Sequence, residues 1–82
     1  MTNDEIAALV KEATNVEQVI VKSDGSHYQV IAVDDMFDTL SRVKRQQMVY
    51  APLSEKIADG TIHAVSIKTF STSQWQREKS LN

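Results

Sequence analysis

Val16-Glu17-Gln18-Val19-Ile20-Val21-Lys22-Ser23-Asp24-Gly25-Ser26-His27-Tyr28-Gln29-Val30-Ile31-Ala32-Val33 is the stretch on which the fold turns. Two runs rich in β-branched residues flank a polar turn. Such side chains fit a pleated, half-buried surface, and Asp-Gly between two such runs is a strong hairpin signal. The pattern predicts strands over Val16 to Lys22 and His27 to Val33, paired antiparallel.

Outward from the hairpin, the other elements follow. Thr2 and Glu5 have the spacing of a capping box, which satisfies two orphan N–H groups at a helix start. Ile6, Leu9, Val10 and Ala13 then recur at helical spacing, predicting a helix over residues 3–13. Its apolar stripe is narrow, so the helix must dock on the sheet. Asp34-Asp35 ends the hairpin, and Met36-Phe37 opens a short connection. Residues 41–59 read as helical, with Ser41 as N-cap and a stripe of Val43, Gln47, Tyr50, Leu53 and Ile57. Pro52 interrupts it. A mid-helix proline removes a hydrogen bond and clashes with the carbonyl four residues back, predicting a kink or break near residues 48–52. Gly60 stands where a C-terminal cap belongs. Ile62 to Phe70 alternates as a third strand, with Val65 and Ile67 on one face. A last helix begins near residue 73, capped by Ser71 or Thr72 and anchored to the sheet by Trp75. The order is α-β-β-α-β-α. The simplest architecture that buries these stripes is an α+β domain, a three-stranded mixed sheet with helices on one face.

The chain has 82 residues, 41% apolar and 24% charged. These values fit one soluble domain spanning residues 1–82. There is no Cys, so disulfides, a thiolate nucleophile and a self-sufficient Cys-ligated zinc or iron–sulfur site are excluded. No apolar run approaches the roughly 18 residues that span a bilayer. Met1-Thr2-Asn3-Asp4-Glu5 lacks the basic-then-apolar pattern of a signal peptide. The expectation is a cytoplasmic protein without membrane contact. The net charge of -2 is unevenly spread. Residues 1–38 hold eight acids and two bases, whereas residues 39–82 hold three acids and seven bases.

Few residues carry chemistry. The serines lack a nucleophile-elbow context, and Asp34-Asp35 reads as a solvated strand end, so no enzyme is expected. His27 and His63 are the specific handles, each placed at a strand start. Each has two readings: a partly buried, hydrogen-bonded residue, which the pattern alone favours, or a ligand for a borderline metal. Arg42, Lys44 and Arg45 form a basic stretch. Arg42 and Arg45 lie one helical turn apart, where they face solvent or meet phosphates or carboxylates.

Several segments together resemble the BolA family: Asp24-Gly25-Ser26-His27, then Ser41-Arg42-Val43-Lys44-Arg45-Gln46-Gln47-Met48-Val49-Tyr50, then Ile62-His63-Ala64-Val65-Ser66-Ile67-Lys68, and Trp75. The resemblance covers nearly the whole chain and is closest to a short subgroup of that family. It implies a fold like the class II KH domain, in agreement with the element order. It also implies a partnership with monothiol glutaredoxins around a shared [2Fe–2S] cluster. There the glutaredoxin Cys and glutathione supply sulfur, and the BolA-like protein supplies nitrogen. His63 matches the family's invariant His, and His27 matches the second ligand position. No cofactor is then expected in the isolated protein, which would be a monomer or weak homodimer. The implied roles are cluster trafficking, storage, or iron and redox sensing, with a part in stress (acid) response. The alternative is a DNA-binding regulator using Arg42, Lys44 and Arg45. Two segments depart from the commoner family pattern: Arg45-Gln46-Gln47 replaces Arg-His-Arg, and Phe37-Asp38-Thr39 replaces Phe-x-Gly. The GxxG loop with which KH domains clamp nucleic acid is absent.

Overall fold

In the computed structural model, which describes residues 1–81, α1 (Asn3–Thr14) forms where the capping box predicts it. Thr2 Oγ1 accepts the Glu5 N–H at 3.1 Å, and Glu5 Oε1 accepts the Thr2 N–H at 2.9 Å. The helix stops at Asn15, whose left-handed φ of 57° lets its N–H return to the Lys11 carbonyl.

The hairpin follows as β1 (Gln18–Asp24) and β2 (His27–Val33), antiparallel from Gln18↔Val33 to Asp24↔His27. The first strand therefore starts two residues later than expected. Val16 is buried as an anchor for the incoming chain and takes no part in the ladder. The loop is Gly25-Ser26, and Gly25 supplies the positive φ, 63°, that a two-residue hairpin loop demands.

The connection after β2 is a 3-10 turn over Asp35–Thr39 that buries Phe37 completely. Arg42–Tyr50 forms α2, capped by Ser41. Pro52 resolves the helical stretch into three pieces: α2, a 3-10 turn over Ala51–Leu53, and α3 (Ser54–Ala58). Gly60 ends this region at φ 84°. β3 (Ala64–Phe70) pairs parallel with β2, from His27↔Ala64 to Val33↔Phe70. The sheet is mixed, in the order β1-β2-β3. A second capping box, between Ser71 and Gln74, starts α4 (Thr72–Ser80).

Strand alternation splits the apolar residues between two faces. Val30 and Ala32 face α1 and the α2–α3 region, within a core that includes Ile6, Val10, Phe37, Val49, Leu53 and Ile62. Ile31 and Val33 point the other way and are covered by Trp75 of α4. The Trp75 and Phe70 ring centroids are 5.6 Å apart. The mixed sheet and the helix order agree with expectation, but the helices do not all share one face. The physical reason is that β2 is apolar at successive positions, so both its faces need cover.

The expected α2 stripe also differs. Val43 is 64% exposed and Tyr50 43%, while Val49 and Leu53 are fully buried. The contact face of α2 carries Gln46, whose Nε2 donates to the Ile67 carbonyl at 3.1 Å. A polar residue at the packing face hides that face from an apolar count. Among the described residues, no helix is long and apolar enough to cross a membrane.

Candidate functional site

The parallel pairing of β2 with β3 brings the two histidines to one end of the sheet. His27 opens β2 directly after the hairpin loop and registers with Ala64, the neighbour of His63. Adjacent strands lie about 4.8 Å apart and consecutive Cα atoms about 3.8 Å, so the two histidine Cα atoms are within roughly 9 Å.

The segment before His63 is fixed by local chemistry. Asp59 Oδ1 accepts the Thr61 N–H at 2.8 Å. Hydrogen bonds from the Thr61 side chain, then from its backbone N–H, hold the Asp59 carboxyl below its ordinary value. The next residue, Ile62, is buried, and its N–H donates to the Lys56 carbonyl at 3.0 Å. His63 then stands between a buried anchor and the first rung of the ladder.

Both imidazoles are exposed. Among the described residues neither is hydrogen-bonded, so the reading of His63 as a partly buried, satisfied strand residue does not hold. The reason is that the ladder begins at Ala64. His63 lies outside the strand and is not bound to the face of Val65 and Ile67. Also among the described residues, no three His, Cys, Asp or Glu side chains converge to hold a metal ion. Two imidazoles with open surroundings suit a centre whose other ligands come from another molecule.

The Asp34-Asp35 pair is structural. Asp34 accepts the N–H groups of Met36 at 2.8 Å and Glu17 at 2.9 Å, and Asp35 accepts the Thr72 N–H at 2.9 Å. These bonds join the α1–β1 connection, the 3-10 turn and the start of α4.

The basic stretch divides. Lys44 is exposed on α2, and its N–H is capped by Ser41 at 3.2 Å. Arg45 is half-buried, and its Nε donates to the Leu40 carbonyl at 3.1 Å. Arg42 and Arg45 line a cleft with Lys68 and Arg77, which Lys44 does not join. Lys68 and Arg77 lie outside the basic stretch of Arg42, Lys44 and Arg45. The signal for them was the basic excess of residues 39–82, whose convergence depends on the packing of α4.

Residues 5–74 match the sequence pattern of the BolA-like protein family. The chain is 52% identical over 82 residues to the "Acid stress protein IbaG" of Escherichia coli strain K12, covering all of this chain and 98% of that protein. Among solved structures, mouse BolA1 superposes with a TM-score of 0.73 at 26% identity, covering 94% of this chain and 70% of that one. A BolA homologue from Coxiella burnetii gives a TM-score of 0.75 at 23% identity, covering 93% and 97%.

Proposed function

The chain belongs to the BolA family, in its IbaG-like subgroup, and from that premise we propose that it is a non-enzymatic partner of a monothiol glutaredoxin. In this reading it co-ligates a glutathione-containing [2Fe–2S] cluster through His63 and His27. The observation that carries it is the pair of exposed imidazoles at one sheet end, with no group of three His, Cys, Asp or Glu side chains able to hold a metal ion among the described residues. A chain with no Cys leaves the sulfur ligands to its partner and to glutathione. When bound, a cluster with imidazole in place of thiolate is less negative and has a higher potential. The role of this chain is to present two nitrogen lone pairs from a rigid sheet end. The buried Ile62 and the hairpin loop fix the backbone, while both rings stay free to turn toward a partner. Cluster trafficking and a cytoplasmic stress or iron-sensing role fit this chemistry.

The test is titration of the protein into glutathione-loaded [2Fe–2S] monothiol glutaredoxin, followed by visible circular dichroism. A saturable spectral change is expected, altered by His63→Ala and by His27→Ala. Both residues are exposed, so the variants keep the wild-type melting temperature and the comparison is clean. A wild-type spectrum that stays flat at micromolar concentrations would overturn the reading.

A further inference from the structure

The cleft between α2 and α4 has a volume of about 640 Å³ and runs along the outer edge of β3. Arg42 and Arg45 reach it from α2, Lys68 from β3 and Arg77 from α4, against one carboxylate, Glu78. This excess of positive charge stands on a chain whose net charge is -2.

Among the described residues, β3 is an edge strand that pairs with β2 alone. The Phe70 carbonyl accepts the Asp34 N–H at 3.0 Å, so the backbone of Phe70 faces β2. Alternation then turns the backbone groups of Ile67 and Thr69 outward. The Gln46 bond to the Ile67 carbonyl agrees with that direction. The Ile67 N–H and both Thr69 groups remain directed into the cleft.

We propose that this cleft binds an extended acidic segment of a partner protein, which adds to the sheet as a fourth strand beside β3. Strand addition gives affinity through backbone hydrogen bonds and specificity through alternating side chains. Here α2 lies over one face of the sheet and Trp75 holds α4 over the other. Successive side chains of an added strand point to opposite faces. Two adjacent carboxylates would therefore meet Arg42 and Arg45 on one side, and Lys68 and Arg77 on the other. The edge from Ile67 to Phe70 spans about 13 Å, enough for one or two such acidic pairs. The row of outward amide and carbonyl groups favours a peptide over nucleic acid. So does the concave site, because a duplex would need Arg42 and Arg45 on an open convex face. Neither histidine lines the cleft, so the inference stands apart from cluster ligation.

The experiment uses the whole protein, isotope-labelled, and a capped eight-residue peptide with paired Glu-Asp steps between valines. Amide shifts centred on Ile67 to Phe70 and slowed exchange of the Ile67 and Thr69 N–H groups are expected. Arg42→Ser and Arg77→Ser should each weaken binding about two- to five-fold, the range of exposed ion pairs. The Gln-Asn version of the peptide and a backbone N-methylated version should both bind at least tenfold more weakly. His27→Ala and His63→Ala should leave the affinity unchanged. Three results would overturn the proposal. One is no shift at millimolar peptide. The second is a DNA duplex that perturbs the same amides in an Arg42- and Arg77-dependent manner while the peptide does not. The third is a shift of these amides with protein concentration alone, which would assign the edge to a second copy of the chain.

Discussion

Asp34 shows how a side chain that the sequence presents as a solvated strand end can join segments of the fold. Its two carboxylate oxygens accept from different segments, Met36 of the 3-10 turn and Glu17 before β1. Asp34→Ala removes both acceptors and should cost about 1–2 kcal/mol, in the range of a lost cap. Asp34→Asn keeps one acceptor and should cost less. Urea unfolding checks this order; equal midpoints for wild type and Asp34→Ala would refute the structural role. The histidines were legible for a different reason. His27 opens β2 and His63 immediately precedes β3, and a parallel pair places its starts at the same end. The exposure of His63 was not legible, because it depends on the ladder beginning at Ala64, two residues after the expected strand start at Ile62. The cleft was legible only in part. Arg42 and Arg45 share a helix face that sequence spacing reveals, but Arg77 reaches them through the packing of another helix.

The helix starts were the most legible elements, because a cap is local chemistry. The Thr2–Glu5 box is written in four residues and forms, while the start of α4, expected to be capped by Ser71 or Thr72, forms as a box between Ser71 and Gln74. They differ in one respect that has a consequence for pH. In α1 the reciprocal acceptor is the Glu5 carboxylate, whereas in α4 it is the neutral Gln74 amide. The Thr2 backbone N–H, then its hydroxyl, lowers the Glu5 pKa from its ordinary value of 4.5. A depressed carboxylate stabilises the fold fully above its unfolded pKa, and that stability is lost as pH falls through the folded value. Glu5→Ala should therefore lower the melting temperature at pH 7, with the difference from wild type shrinking below about pH 4. Glu5→Gln keeps an acceptor, as α4 does, and should flatten the pH dependence while retaining most of the stability at pH 7. Melts from pH 3 to pH 7 provide the check, and a wild-type advantage that grows on acidification would contradict it. The middle helical region was legible in its break and not in its face. Pro52 announces the interruption through missing backbone chemistry. The buried side of α2 carries Gln46, whose hydrogen bond to β3 no apolar pattern records.

Across the whole molecule, the uneven charge of the sequence becomes a spatial division. The acidic half builds α1, β1 and β2, and the basic half builds α2, β3 and α4. Because the strand order is β1-β2-β3, the positive side of the molecule is the β3 edge, where the cleft lies. That edge depends on a second, small core. Ile31, Val33 and Trp75 are its buried members, with Ile20 and Phe70 packed against them. Trp75, the chain's single Trp, is the side chain of α4 that is buried there, so it holds the far wall of the cleft. Trp75→Ala should cost about 3–5 kcal/mol, a large share of the roughly 5–15 kcal/mol that a domain has in total. For a domain of this size, the melting temperature should fall by at least about 12 °C. Hydrogen exchange should show the loss of protection first in α4 and in the outer face of β2, with α1 protected longest. Peptide binding at the β3 edge should weaken with it. Cluster co-ligation should persist below the melting temperature, because His27 and His63 stand on the opposite end of the strands. A loss below about 1 kcal/mol, or uniform loss of protection across both faces, would mean that the two sides of the sheet do not have separate cores.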